Sequence, residues 1–239
     1  MSVALHPALN SARACIFDAG GTLVHPDWPR LSHIAEKVSG RAFEPGEMGR
    51  AFGEMLRAVG LEMQREGFVL ADDMKRPHWT FLRMYSALGL DEVTCESVVK
   101  GLDGAHLERH LWCGVDSEVP RVLDELKRHG LLLAVISNTE DGRLIDSLDA
   151  SGITDRFDLL IDSHLVGHRK PDAAIFRLAL ERLELEAAEA AYIGDSYVHD
   201  ALAAQAIGLR GILLDPLDLH SESVCPRVRS LSELIGDSA

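Results

Sequence analysis

Cys15-Ile16-Phe17-Asp18-Ala19-Gly20-Gly21-Thr22-Leu23-Val24 is the stretch whose reading decides the fold. A short apolar run ends in a carboxylate, and a pair of glycines and a threonine follow after one residue. The run reads as a buried strand that delivers Asp18 to its C-terminal edge. The loop after it carries no bulky side chain to block a ligand. On these residues alone Asp18 is either a nucleophile or ligand in an open cleft, or the turn residue that ends a strand. Segments further along the chain decide between the two.

Downstream of Val24 the texture changes. His25-Pro26-Asp27-Trp28-Pro29 reads as a turn-rich connector, since neither proline favours immediate helix continuation. From Leu31 to about Leu111 apolar residues recur at helical spacing: Leu31, Ile34, Ala35 and Val38, after which Gly40 supplies a stop, then Met48, Phe52, Met55, Leu56 and Val59, with Gly60 after them repeating that pattern. Trp79 to Ser86 and Val93 to Leu102 predict further helices. Trp28, Phe43, Phe52 and Trp79 are expected to be core residues of this region rather than stacking partners for a substrate.

The second half alternates between the two periods. Strands are expected at Leu131–Ile136, Phe157–Ile161, Ala190–Ile193 and Gly211–Leu214. Helices are expected at Val119–His129, Arg143–Ser151, Asp172–Leu183 and Ala201–Ile207. This order predicts an α/β protein with a Rossmann-like, doubly wound parallel sheet. The core is assigned to residues 1–24 and 112–239, with an inserted α-helical cap at 25–111. In such a sheet ligands lie beyond the carboxyl ends of the strands. The residues there are Asp18, Ser137-Asn138-Thr139, Asp162-Ser163, Gly194-Asp195-Ser196 and Asp215-Pro216.

Composition sets outer bounds. The chain has 239 residues, 46% of them hydrophobic, with a formal net charge of -14. That charge argues against a nucleic-acid partner, which requires a basic face. It also repels phosphorylated substrates, so a phosphate site would need its own local cation. Cys15, Cys95, Cys113 and Cys225 form no C-x-x-C pair, which makes a zinc site unlikely on spacing and suggests buried free thiols. The absence of a signal-peptide pattern near the N-terminus and of an apolar run of membrane length predicts a cytoplasmic protein with no membrane partner. The pattern does not choose between a monomer and a homodimer.

Together with Lys170 in Arg169-Lys170-Pro171-Asp172, the strand-end residues resemble the haloacid dehalogenase-like hydrolase superfamily across nearly the whole chain. Asp18 to Thr22 resembles its first motif, Ser137-Asn138 its second, Lys170 before Pro171 its third, and Gly194-Asp195 followed by Asp200 its fourth. The resemblance implies a hydrolase whose nucleophile is Asp18, forming an aspartyl phosphate and so dividing a difficult displacement in two. It implies a Mg²⁺ cofactor held by Asp18, Asp195, the backbone carbonyl of Gly20, and Asp200 directly or through water. Lys170 would be the required cation, and Ser137 with the backbone N–H of Asn138 would bind a phosphoryl oxygen. Gly21 and Thr22 would leave backbone donors open on the same side. The implied substrate is a small phosphorylated molecule.

One position departs from the pattern. Most phosphatases of this superfamily carry an aspartate two residues after the nucleophile, which protonates the leaving alkoxide. Here that position is Gly20. The substrate then has a leaving group stable as an anion, or one of His25, His168 and His199 substitutes, or the reaction is that of a 2-haloacid dehalogenase, whose halide needs no proton. Phosphonate hydrolysis would need a cap lysine, and Lys37, Lys75 and Lys100 have no persuasive context for it. A catalytically weak member that binds a phosphorylated ligand or a partner is the reading outside enzymology. A dinucleotide site is set aside, because Gly20-Gly21 is no G-x-G-x-x-G and prolines follow it.

Overall fold

The computed structural model describes residues 4–66 and 78–236, so Lys75 lies outside the described residues. The chain begins with β1 (Ala14–Phe17) and β2 (His25–Pro26), followed by α1 (Trp28–Ser39), α2 (Pro45–Glu66), α3 (Trp79–Ala87) and α4 (Glu92–Glu108). Next come β3 (Trp112–Gly114), α5 (Glu118–Arg128), β4 (Leu132–Ser137), α6 (Leu144–Ala150), β5 (Leu159–Asp162), α7 (Ser163–Val166) and α8 (Ala173–Leu183). Then β6 (Ala190–Gly194) leads into a π-helical turn, Tyr197–Leu202, continuing as α9 (Ala203–Ala206). The strands β7 (Arg210–Leu214) and β8 (Arg227–Val228) complete the main sheet.

All four residues of β1 are buried, as an unbroken apolar run requires when both faces of a sheet are covered. The sheet has six strands in the order β5-β4-β1-β6-β7-β8, every pair parallel. This is the α/β, doubly wound arrangement expected from the alternation of patterns. The chain moves outward from β1 through β4 to β5, then crosses back to β6 and continues to β7. The strand order therefore reverses between β1 and β6, where an open α/β sheet forms its crevice. Register places Phe17 beside Ile193, so Asp18 and the Gly194-Asp195 pair leave the sheet side by side.

By its contacts the chain divides into two compact units: the residues up to His25 together with those from Gly114, and Pro26–Cys113. The second unit is helical and has its own core, in which Leu31, Met48, Phe52, Phe81, Tyr85 and Leu102 are buried. Phe43 belongs to that core too, and Trp28 and Trp79 pack against it partly buried, which agrees with their reading as core residues.

Two local expectations are corrected. Gly60 does not stop its helix, because α2 runs on to Glu66. An interior glycine costs about 1 kcal/mol relative to alanine, and the buried side chains of Val59 and Met63 on either side reward continuation. The connector after Pro26 is also shorter than expected. Asp27 accepts a hydrogen bond from the Arg30 N–H at 3.2 Å and caps α1, with Pro29 in the first turn, where a missing N–H costs nothing.

Candidate active site

The loop after β1 is a tight closed turn. The N–H groups of Leu23 and Val24 both donate to the Ala19 carbonyl, at 2.8 and 2.9 Å, and Gly21 N–H donates to the Val24 carbonyl at 2.7 Å. Asp18 is fixed at its root by its own N–H, which donates to Ile193 of β6 at 2.8 Å. Gly21 has φ +86, and a Cβ there would come closer than 3.0 Å to the Asp195 carboxylate, a separation real Cβ atoms essentially never show. Glycine is needed at this position for conformation and for space alike.

Lys170 lies in the loop between α7 and α8, and its backbone is clamped by one side chain. Asn138 Oδ1 accepts from the Lys170 N–H at 2.8 Å, and Asn138 Nδ2 donates to the Lys170 carbonyl at 2.9 Å. The lysine is 3% exposed, and its Nζ meets Asp18 Oδ1 at 2.5 Å and Asp200 Oδ1 at 2.7 Å. Burial opposes its charge, but Asp18 and Asp200 together outweigh that and hold the ammonium above its ordinary value. Burial pushes Asp18 up to about 6, against the pull of the Lys170 ammonium and with a further push from Asp200.

The π-helical turn after β6 aims Asp200 inward. Its Oδ2 accepts the Ser196 N–H at 3.0 Å while Oδ1 takes Lys170. Two glycines make room: a Cβ on Gly194 would overlap the Asp200 side chain, and one on Gly211 would overlap the Ala201 carbonyl oxygen. A π-turn of this kind often marks a functional site. Carboxylate oxygens of Asp18, Asp195 and Asp200 all lie within 4.8 Å of one another. Asp195 accepts no hydrogen bond from another described residue, and burial with the charges of Asp18 and Asp200 pushes it well above the usual carboxylate range.

The remaining expected residues occupy the same sheet edge. Ser137 ends β4 and is buried. Thr22 is buried with its hydroxyl unpartnered. Gly20 sits in the turn, bridged to Val24. Asn138 was read for its backbone donor, yet its side chain does visible work as the clamp on Lys170. Of the three histidines, burial pushes His199 down to about 4, so it is neutral near pH 7. His25 Nε2 lies 3.6 Å from Asp116 Oδ1, and His168 Nδ1 lies 3.9 Å from Asp172 Oδ2. Tyr192 escaped the sequence reading altogether. The only signal was a hydroxyl-bearing aromatic in the otherwise small and aliphatic run Ala190–Gly194.

A family model described as haloacid dehalogenase-like hydrolase matches residues 12–208. The chain belongs to the haloacid dehalogenase-like hydrolases. Over 111 residues this hydrolase is 41% identical to haloacid dehalogenase-like hydrolase domain-containing protein 3 of Mus musculus, a match covering 45% of this chain and 44% of the relative. Over 99 residues it is 34% identical to the ribulose-1,5-bisphosphate 5-phosphatase of Halopiger xanaduensis, covering 41% of each chain. These matches span less than half the length of the curated relatives. Among solved structures, YfnB of Bacillus subtilis bound to magnesium is similar with a TM-score of 0.65 and 19% identity, over 93% of this chain and 96% of that one. At that identity the likeness speaks to the fold. Among the described residues no helix is long and apolar enough to cross a membrane.

Proposed function

We propose that this hydrolase is a Mg²⁺-dependent phosphohydrolase acting on a small phosphorylated molecule through an aspartyl phosphate on Asp18. The observation that carries this reading is the convergence of Asp18, Asp195 and Asp200, the first and last of them paired to the buried Lys170 ammonium. Even with a proton on Asp195, the Asp18 and Asp200 carboxylates against one ammonium leave the cluster in negative excess, and a phosphate dianion is repelled from it. The donor set is all oxygen, and Asp195 has no hydrogen-bond partner among the other described residues. That suits a hard divalent cation such as Mg²⁺. Asp18, Asp195, Asp200 and the Gly20 carbonyl are the groups that would hold it. When bound, it supplies charge neutralisation between Asp18 and the phosphoryl oxygens.

The chain's own groups do the rest. An Asp18 oxygen attacks phosphorus, and the bond from phosphorus to the leaving oxygen breaks with its electron pair going to that oxygen. Water then attacks the same phosphorus, the bond to Asp18 breaks with its electron pair returning to the carboxylate, and both hydrogens of the water leave with inorganic phosphate as dihydrogen phosphate. Lys170 keeps a fixed positive charge beside Asp18 through both steps. Ser137, the Thr22 hydroxyl and the Asn138 N–H are assigned to the phosphoryl oxygens; the Gly21 and Thr22 N–H groups, expected to stand open, are instead taken by the Val24 and Ala19 carbonyls at 2.7 and 3.3 Å. Gly20 has no proton to give, which favours leaving groups stable as anions: acyl phosphates, phosphoanhydrides and aryl phosphates.

The same glycine favours one second reading, halide displacement from a 2-haloacid, because halide departs unprotonated. One set of assays separates them: acetyl phosphate and para-nitrophenyl phosphate hydrolysis with and without Mg²⁺, and halide release from 2-chloropropionate. We expect Mg²⁺-dependent phosphate release that falls by about three orders of magnitude or more in Asp18→Asn. No phosphate release, or full activity in Asp18→Asn, sinks the phosphohydrolase. Metal-independent halide release establishes the dehalogenase in its place.

A further inference from the structure

Lys170 Nζ donates to three acceptors: Asp18 Oδ1 at 2.5 Å, Asp200 Oδ1 at 2.7 Å and the Tyr192 hydroxyl at 2.9 Å. A lysine ammonium has three N–H groups, so each one is taken by the protein itself. Two of the acceptors are carboxylates already assigned to the reaction. The third belongs to a side chain with no assigned task.

Tyr192 is fully buried in the middle of β6, beside Ile16 of β1. Its hydroxyl reaches past β1 and donates to the Ile136 carbonyl of β4 at 3.2 Å. The ring stands edge-on to Phe176 of α8, centroids 5.1 Å apart, which leaves it little freedom to turn. Burial, reinforced by the charges of Asp200 and Asp18, pushes the phenol well above its ordinary value and keeps it a neutral O–H. Such a hydroxyl accepts from the lysine and passes its own proton's bond to a backbone oxygen that no mutation can remove.

We propose that Tyr192 is a positioning residue for Lys170: by taking the third N–H it anchors the ammonium between Asp18 and Asp200 and stops it following either carboxylate or a substrate oxygen. Its effect on turnover rests on the reading of Asp18 as nucleophile, whereas the tether itself does not. Phenylalanine at 192 keeps the ring's packing and strands one N–H in a dry site. The ammonium then moves, and the line of attack from Asp18 loses definition. Loss of alignment lowers kcat and leaves ground-state binding nearly unchanged.

The test reads the ammonium directly. Lysine ¹⁵Nζ spectra are recorded for the wild type, Tyr192→Phe and Lys170→Arg, the last to identify the signal. An ammonium held by three acceptors exchanges its protons slowly and gives a resolved resonance, where solvated lysines do not. We expect one such resonance in the wild type, absent in Lys170→Arg and broadened or lost in Tyr192→Phe, with the thermal midpoint of Tyr192→Phe within a few degrees. With acetyl phosphate and Mg²⁺, kcat of Tyr192→Phe should fall about tenfold with KM within about twofold. An unaltered resonance in Tyr192→Phe, no resonance in the wild type, or a KM effect with kcat unchanged overturns the proposal. If the wild type releases no phosphate, the phosphohydrolase reading falls while the resonance still decides the tether.

Discussion

Gly21 faces Asp195 so closely that a single added carbon would occupy the space of the Asp195 carboxylate. The turn after Asp18 and the Asp195 carboxylate after β6 are thus fitted to each other across the point where strand order reverses. Gly21→Ala is expected to displace Asp195 and to force a left-handed conformation on a residue with a Cβ, at about 1–2 kcal/mol. Phosphate release should fall by about 10²-fold, and the Mg²⁺ concentration for half activity should rise. Wild-type metal dependence in Gly21→Ala would refute the fit.

Gly211 sits on β7, outside every motif the sequence suggested, yet a Cβ there would meet the Ala201 carbonyl. Since Ala201 belongs to the π-helical turn that presents Asp200, Gly211→Ala should disturb the carboxylate from behind. Overpacking of this kind costs about 1–3 kcal/mol, or roughly 2–12 °C in thermal midpoint for a chain of this size. Activity is expected to fall more than stability alone explains. Calorimetry paired with initial rates below the transition checks this, and an unaffected rate would separate Gly211 from the site.

Asp215, at the end of β7, is buried and accepts the N–H groups of Leu219 and His220 at 2.8 and 2.9 Å and Arg227 Nη1 at 2.9 Å. Burial raises its carboxyl, but these donors outweigh it and hold the group below the usual carboxylate range. An unfolded aspartate titrates near about 3.9. The folded state therefore prefers the ionised form, and this contribution is present above pH ~4 and is lost as pH falls through the lower folded value. Asp215→Asn should cost about 1–3 kcal/mol at neutral pH and flatten the acid limb. Urea titrations from pH 3 to 7 will show whether mutant and wild type converge at the acid end, as required.

Gly20→Asp supplies a carboxyl two residues after Asp18. A proton donor at that position should raise turnover of alkyl phosphates by up to about 10²–10⁴-fold and affect acyl phosphates little. Parallel assays of one substrate from each class discriminate, and equal gains would remove the missing-acid account of this glycine.

The sheet and the placing of Asp18, Ser137 and Asp195 on one edge were legible because parallel strands put their carboxyl ends together, whereas Lys170 and Asp200, which end no strand, entered only through the family resemblance. A polar residue after each apolar run is then already a spatial statement. Contacts that depend on register were not legible. Tyr192 reaches Lys170 and Ile136 only because β1 lies between β6 and β4, and nothing local in its sequence encodes that order. Gly21 was read as backbone access for a ligand, but its tightest constraint comes from Asp195, far along the chain. Gly60 failed as a helix stop for a related reason: tertiary burial on both sides of it outweighs a local propensity.

The central position of β1 also has a consequence for biosynthesis. It leaves the ribosome before every other strand of its sheet, and its first partner residue, Leu132 opposite Ala14, follows 118 residues later (132 − 14). At ~5–20 residues per second, the apolar segment Ala14–Phe17 waits roughly 6–24 s for a neighbour on either side. The core residues of the helical unit, Leu31 through Leu111, are all synthesised within that interval. The strand that leads into Asp18 is therefore the nascent chain's most exposed aggregation hazard, and chaperone dependence during translation should map to it rather than to the helical unit.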